Sequence, residues 1–366
     1  MQNQILRLIG PAVVLATLLG PPAFGAGPPG DRERPLREAV WGGRWMEGVR
    51  IYGGLAAAGP APSPQASYLA GVALWKLRRL EEARPLLRKA DEAGFRATGG
   101  RPQPGELLAR IATYFELRPP RIDVPGLEPS AIEAYSEART PLTAPVLDAL
   151  PRFVEIGRRL FGEPVPILFF SFARLPGFER FYALFQEGRA APTGTAHSTG
   201  GVNMVLFCEE KAHRGTTAET VSLALHETMH AWIATYLRRT YDRPLFLPPY
   251  ADEGLATYVA GLWSPEVGAL PAQRLEQWRR WGLGAPPFSD LRTDETFRAP
   301  GRELPNYWLS EQLIERLLGP PEKGAAKIRA FLDAWAPTGD DLAAWREVSG
   351  KDAETEYAAL AAGPKK

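Results

Sequence analysis

The chain has 366 residues, 45% of them hydrophobic, with 10 Trp, which is enough for two domains with buried cores. Its 43 basic and 42 acidic side chains give a formal net charge of +1, which favours neither nucleic acid nor an anionic membrane surface as a partner. The single cysteine, Cys208, excludes a disulfide bond within the chain.

The first residues have the pattern of a signal peptide. Arg7 precedes an apolar stretch over residues 8–19, which is too short to span a bilayer comfortably. Ala23-Phe24-Gly25 then offers small residues at a cleavage site. We therefore predict that residues 1–26 are a signal peptide. The protein would then be an exported bacterial protein, periplasmic or secreted, with no stable membrane span after the signal is cleaved. An uncleaved anchor is the alternative.

Residues 27–118 are predicted to form a separate helical domain. Gly71, Ala83, Leu87 and Ala90 recur at helical offsets within residues 66–95. These small residues and their spacing resemble a tetratricopeptide (TPR) helix-turn-helix. The resemblance implies a short helical array that packs on its neighbours and can bind a protein partner. A plain helical bundle is the alternative.

Shorter features complete the outline of the chain. Flanking helices are predicted over residues 37–55 and 106–115, and the proline-rich run at 119–126 is predicted to be a linker. Residues 127–362 would then form the second domain. Two apolar runs rich in β-favouring residues, Val165–Phe172 and Val202–Cys208, predict strands, and the Gly-, Thr- and Ala-rich stretch between them, 188–201, predicts a loop.

A long helix is predicted from about residue 217 to about residue 239. Thr216 and Glu219 have the spacing of a capping box at its start. Leu225, Met229 and Ile233 then recur at every fourth position and form one apolar stripe.

This helix carries the sequence His226-Glu227-Thr228-Met229-His230, which has the form H-E-x-x-H. Side chains four positions apart lie on one helix face, so both imidazoles can reach one metal ion at about 2.0–2.1 Å. Glu227 points about 100° around the helix from His226, where it can act on a water that the metal activates. The pattern is typical of a catalytic zinc site with Glu227 as general base.

A second acidic signal follows at Asp252-Glu253, near the start of another helix that is mostly apolar. We expect Glu253 in the first turn of this helix, where a buried carboxylate needs a partner such as a metal ion. Thr257 lies one turn later, where its hydroxyl can support a ligand.

The two motifs together, H-E-x-x-H and then E-G-x-A-x-Y at residues 253–258, resemble the gluzincin zinc metallopeptidases, in particular the bacterial peptidase MA-like families. The resemblance covers only residues 220–258. It implies that His226, His230 and Glu253 bind Zn²⁺, that Glu227 is the general base and that the substrate is a peptide or protein. It also implies that the strand just before the zinc helix, residues 202–207, is an edge strand lining the cleft.

An oxyanion stabiliser is expected in such an enzyme. The resemblance favours a Tyr on a later helix, and Tyr307 is the candidate, with packing at a helix start as the alternative. Tyr250 and Tyr258 are weaker candidates. His197 and His213 have no matching partner nearby in the sequence and are expected to be ordinary loop histidines.

Further helices are predicted over 272–281, 303–318, 323–335 and 353–361, with an ordered loop or flap at 284–302. The predicted fold class is therefore α+β: a zincin-like domain with a small sheet, the H-E-x-x-H helix and C-terminal helices, preceded by the TPR-like domain. The predicted function is zinc-dependent peptide hydrolysis. The alternative is a catalytically inactive zinc-binding or TPR-type interaction module in the cell envelope.

Overall fold

The structure is a computed structural model. It describes residues 32–58, 60–162, 166–185, 196–198, 203–212, 216–243, 245–263, 270–280 and 284–362. The predicted signal peptide lies outside these residues. No helix in the described part of the chain combines the length and the apolar character needed to cross a membrane.

Five helices open the described chain: α1 Arg34–Trp41, α2 Trp45–Ala57, α3 Pro64–Lys76, α4 Leu80–Glu92 and α5 Pro104–Leu117. The helix predicted at 37–55 is interrupted between α1 and α2, where Gly43 has a φ of 76°. Helices α3 and α4 form a close hairpin. A Cβ atom on Gly71 would lie 2.7 Å from the side chain of Leu87, so only glycine allows this approach.

A four-stranded sheet follows, formed by β1 Ile132–Ser136, β2 Ile167–Phe172, β3 Ala196–Ser198 and β4 Met204–Cys208. The strand order is β1-β2-β4-β3, in which the first three are parallel and β3 runs antiparallel to β4. Helix α6, Thr143–Phe161, connects β1 to β2, and α7, Leu175–Ala183, follows β2. Helices with this small sheet agree with the predicted α+β class.

The prediction that the strand before the zinc helix is an edge strand was wrong. That strand is β4, which pairs with β2 on one side and with β3 on the other. Among the described strands, the edge on this side of the sheet is β3, within a stretch that we predicted to be a loop. Ala196-His197-Ser198 carries no apolar β-branched residue, so its strand conformation depends on pairing with β4 and not on local preference.

The sheet separates two hydrophobic cores. One face of the strands packs on α1 to α5 and α7, and contributes Tyr135, Phe170, Phe172 and Leu206. The opposite face packs on α6 and on the helices that follow the sheet. The helices at 34–117 therefore share one core with the sheet, and residues 120–122, within the predicted linker, bond to the backbone of β1.

The rest of the chain is helical: α8 Glu209–Ala212, α9 Thr217–Tyr241, α10 Pro249–Ala260, α11 Leu270–Arg280, α12 Asp294–Phe297, α13 Glu303–Leu318, α14 Pro321–Gly324, α15 Lys327–Thr338, α16 Asp341–Ser349 and α17 Ala353–Ala361. A 3₁₀ turn, Phe288–Leu291, precedes α12. The predicted helix at 323–335 is divided between α14 and α15, and α16 was not predicted.

Candidate metal centre

Helix α9 presents both histidines of the H-E-x-x-H sequence. The predicted capping box is present, since Thr216 accepts a bond from the Glu219 N–H and Glu219 accepts one from the Thr216 N–H. The opposite side of α9 is fixed against α6 by Trp232, because a Cβ atom on Gly157 would lie 2.1 Å from its ring. The histidine face is thereby turned toward α10.

Helix α10 supplies the carboxylate. It begins at Pro249, earlier than we predicted, so Glu253 lies in its second turn and not in its first. Proline is well suited to the first helical position, which explains the earlier start. Gly254 brings α10 close to α13, since a Cβ atom there would lie 2.9 Å from the carbonyl oxygen of Ser310. Glu253 is thus held on a rigid, buried helix facing α9.

Three ligating atoms converge between α9 and α10. The Nε2 atoms of His226 and His230 are 3.0 Å apart, and Glu253 Oε2 lies 3.1 Å from the first and 3.2 Å from the second. The three side chains are almost entirely buried, with exposures of 10%, 11% and 7%. Ligands at about 2.0–2.2 Å in a tetrahedral zinc site lie about 3.3 Å from one another, which this triangle approaches.

Both outer nitrogens of the histidines have oxygen partners on α10. His230 Nδ1 lies 3.1 Å from Asp252 Oδ1, and His226 Nδ1 lies 3.2 Å from the hydroxyl of Thr257. The Thr257 hydroxyl donates its own proton to the carbonyl of Glu253, so it accepts from His226. These partners place a proton on each Nδ1 and leave each Nε2 lone pair directed at the centre, which is the usual outer arrangement of metal-binding histidines.

The electrostatics of the centre require positive charge between the three ligating atoms. Burial alone would lower the pKa of His230, but Asp252 and Glu253 outweigh it and raise that pKa well above the ordinary value. Burial would likewise raise the pKa of Glu253, but His230, His226 and Arg298 hold it well below its usual range. Two imidazole lone pairs and a carboxylate oxygen at these distances repel one another unless a cation or a proton lies between them. The residues therefore fit a divalent metal ion.

The predicted base and oxyanion stabiliser border this centre. Glu227 is partly exposed and lies near enough to Tyr307 to affect its pKa. The ring of Tyr307, which is 9% exposed, lies 6.2 Å from that of His226. Burial, with Glu253, raises the pKa of Tyr307 well above its ordinary value even though Arg298 opposes the shift. The phenol therefore keeps its proton and can act as a donor.

The weaker tyrosine candidates lie in the core. Tyr258 is buried and donates to the carbonyl of Gly319, and Tyr250 is buried and donates to Asp341. His197 is on β3, with its side chain outside the described atoms, and His213 lies outside the described residues. Neither belongs to the group of ligating side chains found among the described residues.

Two residues of the centre were not predicted from the sequence. Asp252 was recognised only as the start of a helix, yet it bonds His230. Arg298 follows α12 in the stretch predicted to be a loop or flap, and its guanidinium contacts both Glu253 and Tyr307. Asp252 precedes the ligand by one position, which is a usable signal. Nothing in the local sequence of Arg298 marks it.

Comparison with known proteins adds no assignment to this geometry. Neither protein-family models nor curated proteins nor solved structures gave a match to the chain. The function is therefore inferred from the site itself and from the resemblance of its two motifs to gluzincins.

Proposed function

We propose that this protein is a zinc-dependent peptidase that hydrolyses peptide bonds with Glu227 as the general base. The observation that carries the proposal is the convergence of His226 Nε2, His230 Nε2 and Glu253 Oε2 within 3.2 Å of one another. Two imidazoles and one carboxylate form the donor set of several zinc peptidases.

The number of ligands favours a catalytic site over a structural one. Structural zinc sites are closed by four protein ligands, whereas catalytic sites use three. Among the described residues, the group that can hold a metal has three members. This supports the peptidase over the alternative of a structural zinc centre beside N-terminal helices that bind a partner.

The surrounding residues have the properties that the reaction needs. A bound Zn²⁺ supplies the Lewis acidity that makes water nucleophilic near neutral pH. Glu227 accepts the proton of the attacking water and returns it to the leaving amine. Tyr307 donates a hydrogen bond to the negative charge that develops on the carbonyl oxygen.

An extended substrate is proposed to bind along β3. Among the described residues this strand is one of the two edges of the sheet, and it lies against α9, which carries both histidines. A peptide that pairs with its backbone would lie along β3 beside α9, with specificity set by alternate side chains. The substrate would therefore be an unfolded segment or a peptide and not a compact surface.

The test is cleavage of a mixed peptide library, read by mass spectrometry, with zinc content measured on the same samples. Glu227→Gln is expected to retain zinc and to lose at least about 100-fold in rate, the lower range for general-base catalysis. Glu219→Gln, on the same helix but in the capping box, is the matched control and should cleave normally. Zinc binding with no cleavage by the wild-type protein would favour the inactive alternative.

A further inference from the structure

Arg298 is a buried cation bound directly to the candidate metal centre. Its side chain is 12% exposed, its Nη2 donates to Glu253 Oε1 at 2.8 Å, and its Nη1 donates to the Tyr307 hydroxyl at 3.1 Å. Asp294 lies 3.7 Å from Nε and Glu303 lies 3.4 Å from Nη1. The guanidinium is thus flanked by carboxylates that precede and follow it in the chain, and it contacts Glu253 and Tyr307 of the site.

We propose that Arg298 is a positioning residue with two roles. It holds Glu253 so that one carboxylate oxygen serves as the ligand, and it directs the hydroxyl proton of Tyr307 toward the three ligating atoms. The inference deepens the proposed function and rests on its metal centre. It assigns a role to the loop at 284–302 that the two motifs alone do not suggest.

The two oxygens of Glu253 face different partners. Oε2 faces both histidine Nε2 atoms, while Oε1 accepts the bond from Arg298. A carboxylate that gave both oxygens to the metal would have to give up this charge-assisted bond in a buried place, where such bonds are strong. Arg298 therefore favours a one-oxygen ligand and a compact coordination sphere.

The phenol of Tyr307 is oriented by the same guanidinium. Because an N–H of Arg298 donates to the phenol oxygen, the hydroxyl proton must point elsewhere. The ring lies beside His226, and Glu227 is within electrostatic range. The bond from Arg298 thus orients Tyr307 as a donor for charge that develops at the centre, and it polarises the O–H group in the same direction.

The charge of Arg298 also balances that of Glu253. Glu253 is buried, and an unpaired buried carboxylate is strongly unfavourable. A planar guanidinium can serve Glu253 and Tyr307 at once through different nitrogens, whereas a lysine ammonium on a flexible stem serves as a point charge. Arg298 should therefore be replaceable by lysine for pairing with Glu253, but not for orienting Tyr307.

The test compares Arg298→Ala and Arg298→Lys with Arg292→Ala. Arg292 lies in the same loop and pairs at 2.6 Å with the buried Asp341, which is not a member of the metal-binding group, so it controls for general loosening of the loop. Zinc affinity is measured by competition with a chromophoric chelator. The visible absorption of the Co²⁺-substituted protein reports the coordination sphere, and neither readout needs a substrate.

Arg298→Ala is expected to weaken zinc binding by about 10- to 100-fold, the usual effect of losing an outer partner. It should also lower the intensity of the Co²⁺ absorption, because coordination by both oxygens of Glu253 raises the coordination number. Arg298→Lys should recover most of the affinity, and Arg292→Ala should change neither readout. Where the wild-type protein cleaves a library peptide, Arg298→Lys should lower kcat with little change in KM.

Wild-type affinity and an unchanged Co²⁺ spectrum for Arg298→Ala would overturn the inference, as would an equal loss of affinity for Arg292→Ala. These results are distinct from failure of the proposed function, which would appear as zinc binding without cleavage in the wild-type protein. The zinc affinity and the Co²⁺ spectrum test the role of Arg298 toward Glu253 whether or not the wild-type protein cleaves a peptide.

Discussion

At the scale of single residues, the centre is organised by α10 as much as by the histidines of α9. Three positions of α10 provide the candidate ligand Glu253, the partner of His230 at Asp252 and the partner of His226 at Thr257. One short helix thus fixes the orientation of all three ligating groups. This concentration predicts that changes on α10 affect metal binding without removing a ligand.

Asp252→Ala is expected to weaken zinc binding by about 10- to 100-fold, because His230 loses the acceptor that fixes its tautomer and ring orientation. Competition with a chelator measures the effect. Asp340→Ala, which removes only the cap of α16, is the control and should bind zinc as the wild type does. An affinity for Asp252→Ala within twofold of wild type would show that His230 does not need this partner.

A buried carboxyl on α13 predicts a pH-dependent stability. Burial raises the pKa of Glu311 from 4.5 to about 8. Between these values the unfolded chain is ionised and the folded chain keeps its proton, so the free energy of unfolding falls as pH rises from about 4.5 to about 8. Glu311→Gln should be more stable than wild type by a few kcal/mol at pH 8, a difference that shrinks toward pH 4.

Urea unfolding at a series of pH values measures this difference. Glu347→Gln, at an exposed position of α16, is the control and should follow the wild-type curve. A constant offset between Glu311→Gln and wild type from pH 4 to pH 8 would contradict the account.

At the scale of elements, the site depends on how closely α10 approaches α13. Gly254 follows Glu253 and faces α13, where a Cβ atom at this position would lie 2.9 Å from atoms of Ser310 and Ile314. The close packing of α10 on α13 thus explains why a glycine follows Glu253 in the E-G-x-A-x-Y sequence. Any added volume there moves the helix that holds the carboxylate.

Gly254→Ala is expected to lower the free energy of unfolding by about 1–3 kcal/mol through overpacking, and to weaken zinc binding as α10 shifts. Gly53→Ala is the matched control. It lies inside α2 with open space around it, so the same change there should stabilise the protein by about 0.5–1 kcal/mol. Equal effects of the two substitutions would show that α10 and α13 are not in close contact.

At the scale of the whole molecule, the N-terminal helices and the sheet share a hydrophobic core. They are also tied to the far end of α9. Asp242 accepts bonds from the Met46 and Glu47 N–H groups at the start of α2, and Arg238 donates to the carbonyl of Gly43. Helices α1 to α5 and α9 are therefore expected to unfold together.

Calorimetry of the whole chain should accordingly give one cooperative transition, and zinc should raise the Tm of that transition as a whole. The zinc-induced shift should be lost in His226→Ala. Two transitions, of which only one responds to zinc, would show instead that the N-terminal helices form an independent domain.

The parts of this structure that were predictable from sequence are those governed by local spacing. The capping box at Thr216 predicted the start of α9, and the four-residue spacing of the histidines predicted that both lie on one face, where they could hold a metal ion. Glu303–Leu318 has the predicted bounds. The edge strand β3 was missed because its pairing partner lies in β4. The role of Arg298 was missed because it depends on the path of a loop, which no local pattern specifies.

The measurement that tests the central claim most directly is the zinc content per chain of residues 27–366 and of His226→Ala, determined by elemental mass spectrometry after zinc loading and desalting. Asp340→Ala, which removes only the cap of α16, is the control. We expect about one zinc ion per chain in the wild type and in Asp340→Ala, and a large loss in His226→Ala. Zinc-free wild-type protein, or equal zinc in all three samples, would contradict this expectation.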